Sequence, residues 1–235
     1  APDAKTFDYI KGREFAPKGD DWDQAMAYWE TLHSDADARF DRELQFDGAA
    51  IEPMITYGTN PGMGVGITHS IPEASAVEGG ASTYLKSLAY MDFNEGESML
   101  GKKIDFVFLG SCTNGRIEDL RIAAQVLKGQ KIDNNIRGIV SPATPKIFRQ
   151  ALDEGIMSIF MDAGFCVTNP TCGACLGMST GVLAQGEVCA ATTNRNFSGR
   201  MGKGGMIHLM SPATAAASAI AGRIVNSTLF AGDGE

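Results

Sequence analysis

The sequence predicts an α/β protein: a three-layer α/β/α arrangement built on a parallel or mixed sheet. Three observations carry the expectation. From residue 82 onward, short apolar runs of strand length alternate with segments of helical spacing, the pattern of a sheet with helices on its faces. The runs end in loops of small and polar residues, and the 28 glycines collect in such loops and not in a repeat. Hydrophobic residues at 44% and charged residues at 20% are ordinary globular values, and a chain of this size can bury about 70–75% of its unfolded surface.

Residues 1–60 read as a lead-in of connector, helix and strands, and residues 61–235 as the α/β domain that carries the chemistry. Residues 1–18 mix proline, glycine and charge and are taken as the connector. Asp20 or Asp21 caps a helix in which Trp22, Ala25, Met26 and Trp29 are spaced so that the two tryptophans share a face. Phe40, Leu44 and Phe46 share a parity, which predicts a half-buried strand over residues 39–46 with residues 51–57 as its neighbour. Gly58-Thr-Asn-Pro-Gly-Met-Gly-Val-Gly66 is an ordered turn, either a plain connection or a backbone able to approach a ligand closely.

A helix over residues 82–91 turns Leu85, Leu88 and Ala89 inward. A strand over residues 103–109 runs into Gly110-Ser-Cys-Thr-Asn-Gly115, and Ile117, Leu120, Ala124 and Leu127 continue at helical spacing, so Cys112 sits on a strand-to-helix turn. In open α/β sheets ligands bind at the carboxyl ends of strands. Further strands are expected over residues 136–140, 165–168, 188–193 and 206–210, with a helix over residues 145–154 closed by Gly155. Ser211 as N-cap and Pro212 at the first helical position open a helix rich in Ala and Ser over residues 213–225.

The formal net charge of −8 argues against a general nucleic-acid or membrane-surface role, since each needs a basic face. No apolar run reaches the ~18 residues of a membrane span, and the first residues carry no signal-peptide pattern. The chain reads as soluble and cytoplasmic. Five cysteines, an odd number, favour reduced thiols over a disulfide framework.

Asn169-Pro-Thr-Cys-Gly-Ala-Cys175 holds a C-x-x-C pair, and Asn194-Arg-Asn-Phe-Ser-Gly-Arg200 follows it. Alone, Cys172 and Cys175 fit a zinc clip, a dithiol redox pair or an iron–sulfur site. A zinc ribbon needs a second pair, and His33, His69 and His208 have no ligand spacing. Adding Cys112 gives three thiolates that can hold three irons of a cubane cluster and leave the fourth open as a Lewis acid for a hydroxy-acid. Arg195 and Arg200 present planar forks of the kind that grip carboxylates bidentately. His208, between apolar neighbours, is read as a hydrogen-bonded core residue, and Cys166 and Cys189 as buried small hydrophobes.

Gly110-Ser-Cys-Thr-Asn-Gly-Arg-Ile-Glu-Asp-Leu120, Pro170-Thr-Cys-Gly-Ala-Cys-Leu176, Thr193-Asn-Arg-Asn-Phe-Ser-Gly-Arg200 and His208-Leu-Met-Ser-Pro212 resemble the aconitase family. Within it they are most similar to the large subunits of the dehydratases that act on isopropylmalate. Tyr9-Ile-Lys-Gly-Arg13, Ala16-Pro-Lys-Gly19 and Tyr57-Gly-Thr-Asn-Pro-Gly62 extend the likeness along the chain. The resemblance implies the iron–sulfur domain fold of that family, a [4Fe–4S] cluster ligated by Cys112, Cys172 and Cys175, and a substrate site lined by Asn194, Arg195 and Arg200. It also implies reversible dehydration and rehydration of a hydroxy-di- or tricarboxylate, interconverting 2-isopropylmalate and 3-isopropylmalate in leucine biosynthesis, with a small subunit as partner. Family large subunits have a further N-terminal half carrying active-site histidines, aspartates and a glutamate. On the resemblance this chain is therefore the C-terminal half, with no catalytic residue assigned in it and no activity alone. Gly115 and Gly173-Ala174 depart from the commoner bacterial pattern toward a homoaconitase-like branch. A homoaconitase- or aconitase-like hydro-lyase, a non-catalytic iron–sulfur or zinc module, and a dithiol redox protein therefore stay open beside the main expectation.

Overall fold

The computed structural model describes residues 1–77 and 80–230; residues 78–79 and 231–235, inside the span 61–235 assigned above to the α/β domain, lie outside the described residues. The chain forms two compact units, Ala1–Gly48 and Ala49–Glu235.

In the first unit the presumed connector contains a helix, α1 (Ala4–Ile10), started by Asp3, whose carboxylate accepts the Thr6 backbone N–H at 2.9 Å. Helix α2 (Asp20–Glu30) begins at Gly19, not at an aspartate cap. Asp20, Asp21 and Asp23 occupy its first turn instead, where negative charge suits the exposed backbone N–H groups. Trp22 is buried and meets Trp29 edge-on at 5.8 Å between centroids, and Trp29 stacks on Phe7 of α1 at 6.1 Å. The expected strand over residues 39–46 does not form, and Phe40, Leu44 and Phe46 are exposed. Alternation makes a strand only where a partner pairs the backbone and one face is covered, and no partner strand lies among the described residues.

The second unit opens with a hairpin, β1 (Met54–Thr56) antiparallel to β2 (Gly64–Gly66), so residues 57–63 connect the strands and the last three residues of the expected turn form β2. Helix α3 (Ala81–Met91) buries Tyr84, Ser87, Leu88 and Met91, while Leu85 and Ala89 are exposed. The inward stripe is thus offset from the one expected, because Tyr84 and Met91 bury more apolar surface than the Leu85 side does.

Five strands follow: β3 (Phe106–Gly110), β4 (Arg137–Ser141), β5 (Phe165–Val167), β6 (Val188–Ala191) and β7 (Met206–Leu209). They form one sheet in the order β5, β4, β3, β6, β7, with every neighbouring pair parallel. The connections are α4 (Ser111–Asn114), α5 (Ile117–Leu127), α6 (Pro145–Asp153) and α7 (Ile156–Ala163), with α8 (Pro212–Ala221) after the last strand. Helix α7 was not expected: its residues are apolar almost all round, which hides the helical period, but Gly155 and Gly164, both left-handed, bracket it. Helix α8 starts as predicted, with Ser211 Oγ accepting the Thr214 N–H, and stops early at left-handed Gly222.

Period-two alternation divides the core between the two faces of the sheet. Val107 and Leu109 of β3, Val140 of β4 and Val188 and Ala190 of β6 join Leu88, Leu120, Phe160 and Ala216 under the helices. Phe106, Phe108, Ile139, Cys189 and Ala191 face the other way and are covered by Ala174, Cys175, Leu183 and Met201, which come from loops. The path from β3 through β4 to β5 crosses the sheet in one direction, and the path from β5 through β6 to β7 returns in the other. Right-handed parallel crossovers must then lie on opposite faces.

The end of β3 is packed against β4 without slack. Gly110 has φ 103°, and a Cβ there would fall 2.1 Å from the Ser141 carbonyl oxygen, a backbone atom that cannot step aside. Gly110→Ala is expected to lose at least ~3 kcal/mol of stability. Gly129→Ala, at φ 73° with nothing within 4 Å, is expected to lose only about 1–2 kcal/mol. Urea midpoints of the two variants measure the contrast.

His208 on β7 is fully buried, with Nδ1 2.8 Å from the Thr56 carbonyl oxygen and its ring edge-on to Phe93 at 5.6 Å. Burial pushes its pKa down to about 4, the bond to Thr56 opposing the fall and nearby Lys102 adding to it. The imidazole is neutral and its Nδ1–H donates to Thr56. Because the folded value lies below the free value of about 6.5, the unfolded chain takes the proton first as pH falls. This contribution to stability is full above about pH 6.5 and is lost between about 6.5 and about 4, by ~3 kcal/mol. The stability difference between wild type and His208→Gln is therefore expected to shrink from about pH 7.5 to about pH 4.5, as read by urea denaturation at each pH.

Candidate functional site

The strand order reverses beside β3, so the carboxyl ends of β3 and β6 form the switch point of the sheet, the place where open α/β sheets leave a crevice. Cys112 lies in α4 directly after β3, and Asn194, Arg195 and Arg200 lie in the loop after β6. Gly110 N–H donates to Thr192 Oγ1 at 2.8 Å, tying the two strand ends together. Ser111, between Gly110 and Cys112, is a non-glycine residue at φ 66°, and its buried Oγ has no partner among the described residues. A left-handed serine is strained, and this strain sits next to the first candidate thiol.

The C-x-x-C loop follows β5. Gly173–Leu176 is a single 3-10 turn, closed by the Cys175 N–H donating to the Cys172 carbonyl at 2.8 Å. Ser141, at the end of β4, bridges this loop to β3. Its Oγ donates to the Thr171 carbonyl at 3.2 Å, and its own carbonyl lies where a Gly110 Cβ would be. Cys112 and Cys172 are exposed, Cys175 is buried, and all five cysteines are free thiols. Cys189 is buried, and burial pushes its thiol pKa up. Cys166 is exposed on edge strand β5, contrary to expectation: alternation turns it away from the helices that cover Phe165.

Arg200 is 9% exposed and lies over the C-x-x-C turn. Its Nε donates to the Cys175 carbonyl at 2.8 Å and its Nη2 to Cys175 Sγ at 2.9 Å and to Asn194 Oδ1 at 3.2 Å. Arg195 is exposed, and its guanidinium has no hydrogen bond or ion pair among the described residues. Both expected arginines thus lie on the loop after β6, Arg200 bonded to the C-x-x-C turn and Arg195 exposed.

Residues that the sequence reading passed over hold this loop. Asn196 is buried and its Nδ2 donates to Thr56 Oγ1 at 3.2 Å and to the Gly58 carbonyl. Thr56 Oγ1 also accepts the Leu209 N–H at 2.8 Å. Tyr90 of α3 accepts the Gly199 N–H at 3.1 Å and donates to the Gly205 carbonyl at 2.7 Å. Thr56 breaks an otherwise apolar run in Met-Ile-Thr-Tyr, which is the one trace of this role in the sequence.

The fold thus brings Cys112, Cys172, Cys175, Asn194, Arg195 and Arg200 to one edge of the sheet, and joins Cys175, Asn194 and Arg200 by direct bonds. Among the described residues no three His, Cys, Asp or Glu side chains are grouped to hold a metal ion, so the three thiols share an edge without forming a closed ligand set. Their chemistry fits an iron–sulfur group: three free thiols just after strand ends, one of them receiving an N–H bond at sulfur. No helix among the described residues is long and apolar enough to cross a membrane.

Comparison with known proteins gives a match to the aconitase family (aconitate hydratase) over residues 1–222. The chain is 52% identical over 227 residues to the 3-isopropylmalate dehydratase large subunit of Cytophaga hutchinsonii, covering 96% of this chain and 49% of that protein. Against the same subunit of Flavobacterium johnsoniae it is 52% identical over 226 residues, with the same coverage of both chains. The Bacteroides thetaiotaomicron subunit gives 52% over 227 residues, again with 96% and 49% covered. The chain spans about half the length of the curated relatives it matches. With the match running through all five strands of the sheet and all three candidate thiols, the chain belongs to the aconitase family.

Proposed function

We propose that the chain is the cluster-bearing part of the large subunit of a hydro-lyase that interconverts 2-isopropylmalate and 3-isopropylmalate by dehydration and rehydration. Cys112, Cys172 and Cys175 are the residues that would hold a [4Fe–4S] cluster, and Asn194, Arg195 and Arg200 line the site beside it. The observation that carries the reading is the convergence of those thiols and arginines on the carboxyl edge of one parallel sheet, in a chain whose relatives bear the name of that dehydratase. The relatives' names favour isopropylmalate over the homoaconitase-like alternative.

When bound, a cluster with one iron free of protein ligands supplies a Lewis acid for the substrate hydroxyl. This chain's own residues do the gripping and holding. Arg195 offers an open guanidinium, whose planar fork matches a carboxylate. Buried Arg200, bonded to Asn194, keeps the floor of the site ordered. The proton-transfer groups are assigned to the rest of the large subunit and to the small subunit, which makes the chain alone inactive, and its place of work is the cytoplasm.

Anaerobic reconstitution with iron and sulfide tests the reading. The expected result is a cubane visible and EPR signature that is lost in Cys112→Ser, Cys172→Ser and Cys175→Ser alike. Bound zinc without a chromophore, or a reversible dithiol titration without metal, would replace it with one of the other two classes. The reconstituted chain is expected to give no absorbance from an enoate product when supplied with 3-isopropylmalate. Turnover should appear only on adding the small subunit and the remainder of the large subunit; turnover by the chain alone would refute the division of labour.

A further inference from the structure

We infer that residues 39–46 are one strand of a sheet that is completed by an edge strand from the remainder of the large subunit. The inference rests on the reading of the chain as part of that subunit, and it names a surface through which the two parts join.

The segment has the side-chain pattern of a strand and none of its bonds. Phe40, Leu44 and Phe46 share one parity with Arg42, while Arg39, Asp41, Glu43 and Gln45 on the other parity are all polar. A paired strand of this pattern has one apolar and one polar face. Here Phe40, Leu44 and Phe46 are 59%, 62% and 76% exposed. Among the described residues, no backbone N–H or C=O of residues 39–46 bonds to another part of the backbone. Large apolar side chains of one parity beside unpaired backbone are what a sheet edge takes up by strand addition. The first unit cannot bury them itself. Trp22 is the only buried residue among the described residues of Ala1–Gly48, and a unit of that size with one buried side chain holds no core of its own. A two-stranded ribbon is marginal in water, so the partner is the edge of an existing sheet, with apolar residues opposite Phe40, Leu44 and Phe46. The segment lies inside residues 1–222, which match the family, while the chain spans about half the length of its relatives. A surface this apolar in the matched body of the chain suits a permanent contact, and the remainder of the same subunit supplies one.

Amide hydrogen exchange, read by mass spectrometry on the peptide covering residues 39–46, tests the inference. In the chain alone these amides should exchange as in an unstructured peptide. In the intact large subunit, without the small subunit, half or more of them should slow at least ~100-fold, because alternate N–H groups of a strand face each neighbour. Unchanged exchange in the intact subunit overturns the inference. Protection that appears only on adding the small subunit, or that grows with concentration in the chain alone, overturns it too, by making the small subunit or a second copy the occupant. Substitution gives a second reading. Leu44→Asp combined with Phe46→Asp should leave the urea midpoint of the chain alone unchanged, since both side chains are exposed, and lower that of the intact subunit by about 1 M. Asp41→Asn combined with Glu43→Gln, on the polar face, should lower neither, and equal effects of the two pairs overturn the inference. If the apolar-face variant of the intact subunit fails to fold, the exchange measurement on wild type decides. Isopropylmalate turnover by an assembled enzyme whose residues 39–46 stay unprotected would leave the proposed function standing and this inference refuted; protection without turnover would do the reverse.

Discussion

The constraint on which the second unit depends is the handedness of parallel crossovers. A sheet ordered β5, β4, β3, β6, β7 must be crossed in both directions. A right-handed connection that reverses direction changes face. The helices between β3 and β5 therefore take one face, and the loops after β5 and β6 are left to cover the other. Those are the loops that carry Cys172, Cys175 and Arg200. Their meeting follows from topology before any side-chain chemistry is considered, and the covering residues Ala174, Cys175, Leu183 and Met201 are site residues and core residues at once. A substitution that loosens this face disturbs the core and the thiol turn together.

Covering a sheet with loops leaves backbone and polar side chains that must find partners out of water. Thr56 solves much of this. Its hydroxyl accepts from Asn196 and from Leu209 N–H, and its carbonyl accepts from His208, so one residue of the hairpin is bonded to the arginine loop and to β7. Such bonds are each worth ~1 kcal/mol when made, but leaving a buried member unpaired loses more. Tyr90 plays the same part from α3, joining Gly199 to Gly205. The arginine loop is thereby held from two directions by elements distant in sequence, which is what a loop needs if its side chains are to act at fixed positions.

That division explains what the sequence disclosed. The sheet strands were legible because each is an apolar run ending in glycine or a small polar residue, and the start of α8 because Ser211-Pro212 is a chemical signal at fixed spacing. Cys112 was placed on its turn for the same reason. Residues 39–46 misled because alternation of Phe40, Leu44 and Phe46 records a capacity to pair, not a partner. Helix α7 was hidden by being apolar all round, and α1 by its brevity. The bonds from Arg200 to Cys175 were illegible because they join residues distant in sequence. Thr56, Tyr90 and Asn196 were missed likewise, since a buried polar residue betrays itself only by its surroundings.

The site edge has a buried base and an exposed rim. In the base, Arg200, Cys175 and Asn196 bond to other parts of the chain, with Asn196 Oδ1 buried and without a partner among the described residues. On the rim, Cys112, Cys172 and Arg195 are exposed, and Ser111 beside Cys112 holds a strained backbone and a buried hydroxyl without a partner among the described residues. A strained residue persists only where the surroundings over-determine it, and here Gly110, wedged against Ser141, does so. The thiol after it is thus presented on a stiff support, while the second thiol of the C-x-x-C is held by a guanidinium. Two different devices, a strained turn and a charged fork, fix Cys112 and Cys175 from opposite sides of the switch point. Cys172, exposed at the start of the 3-10 turn, is tied into it through its carbonyl, which accepts the Cys175 N–H at 2.8 Å.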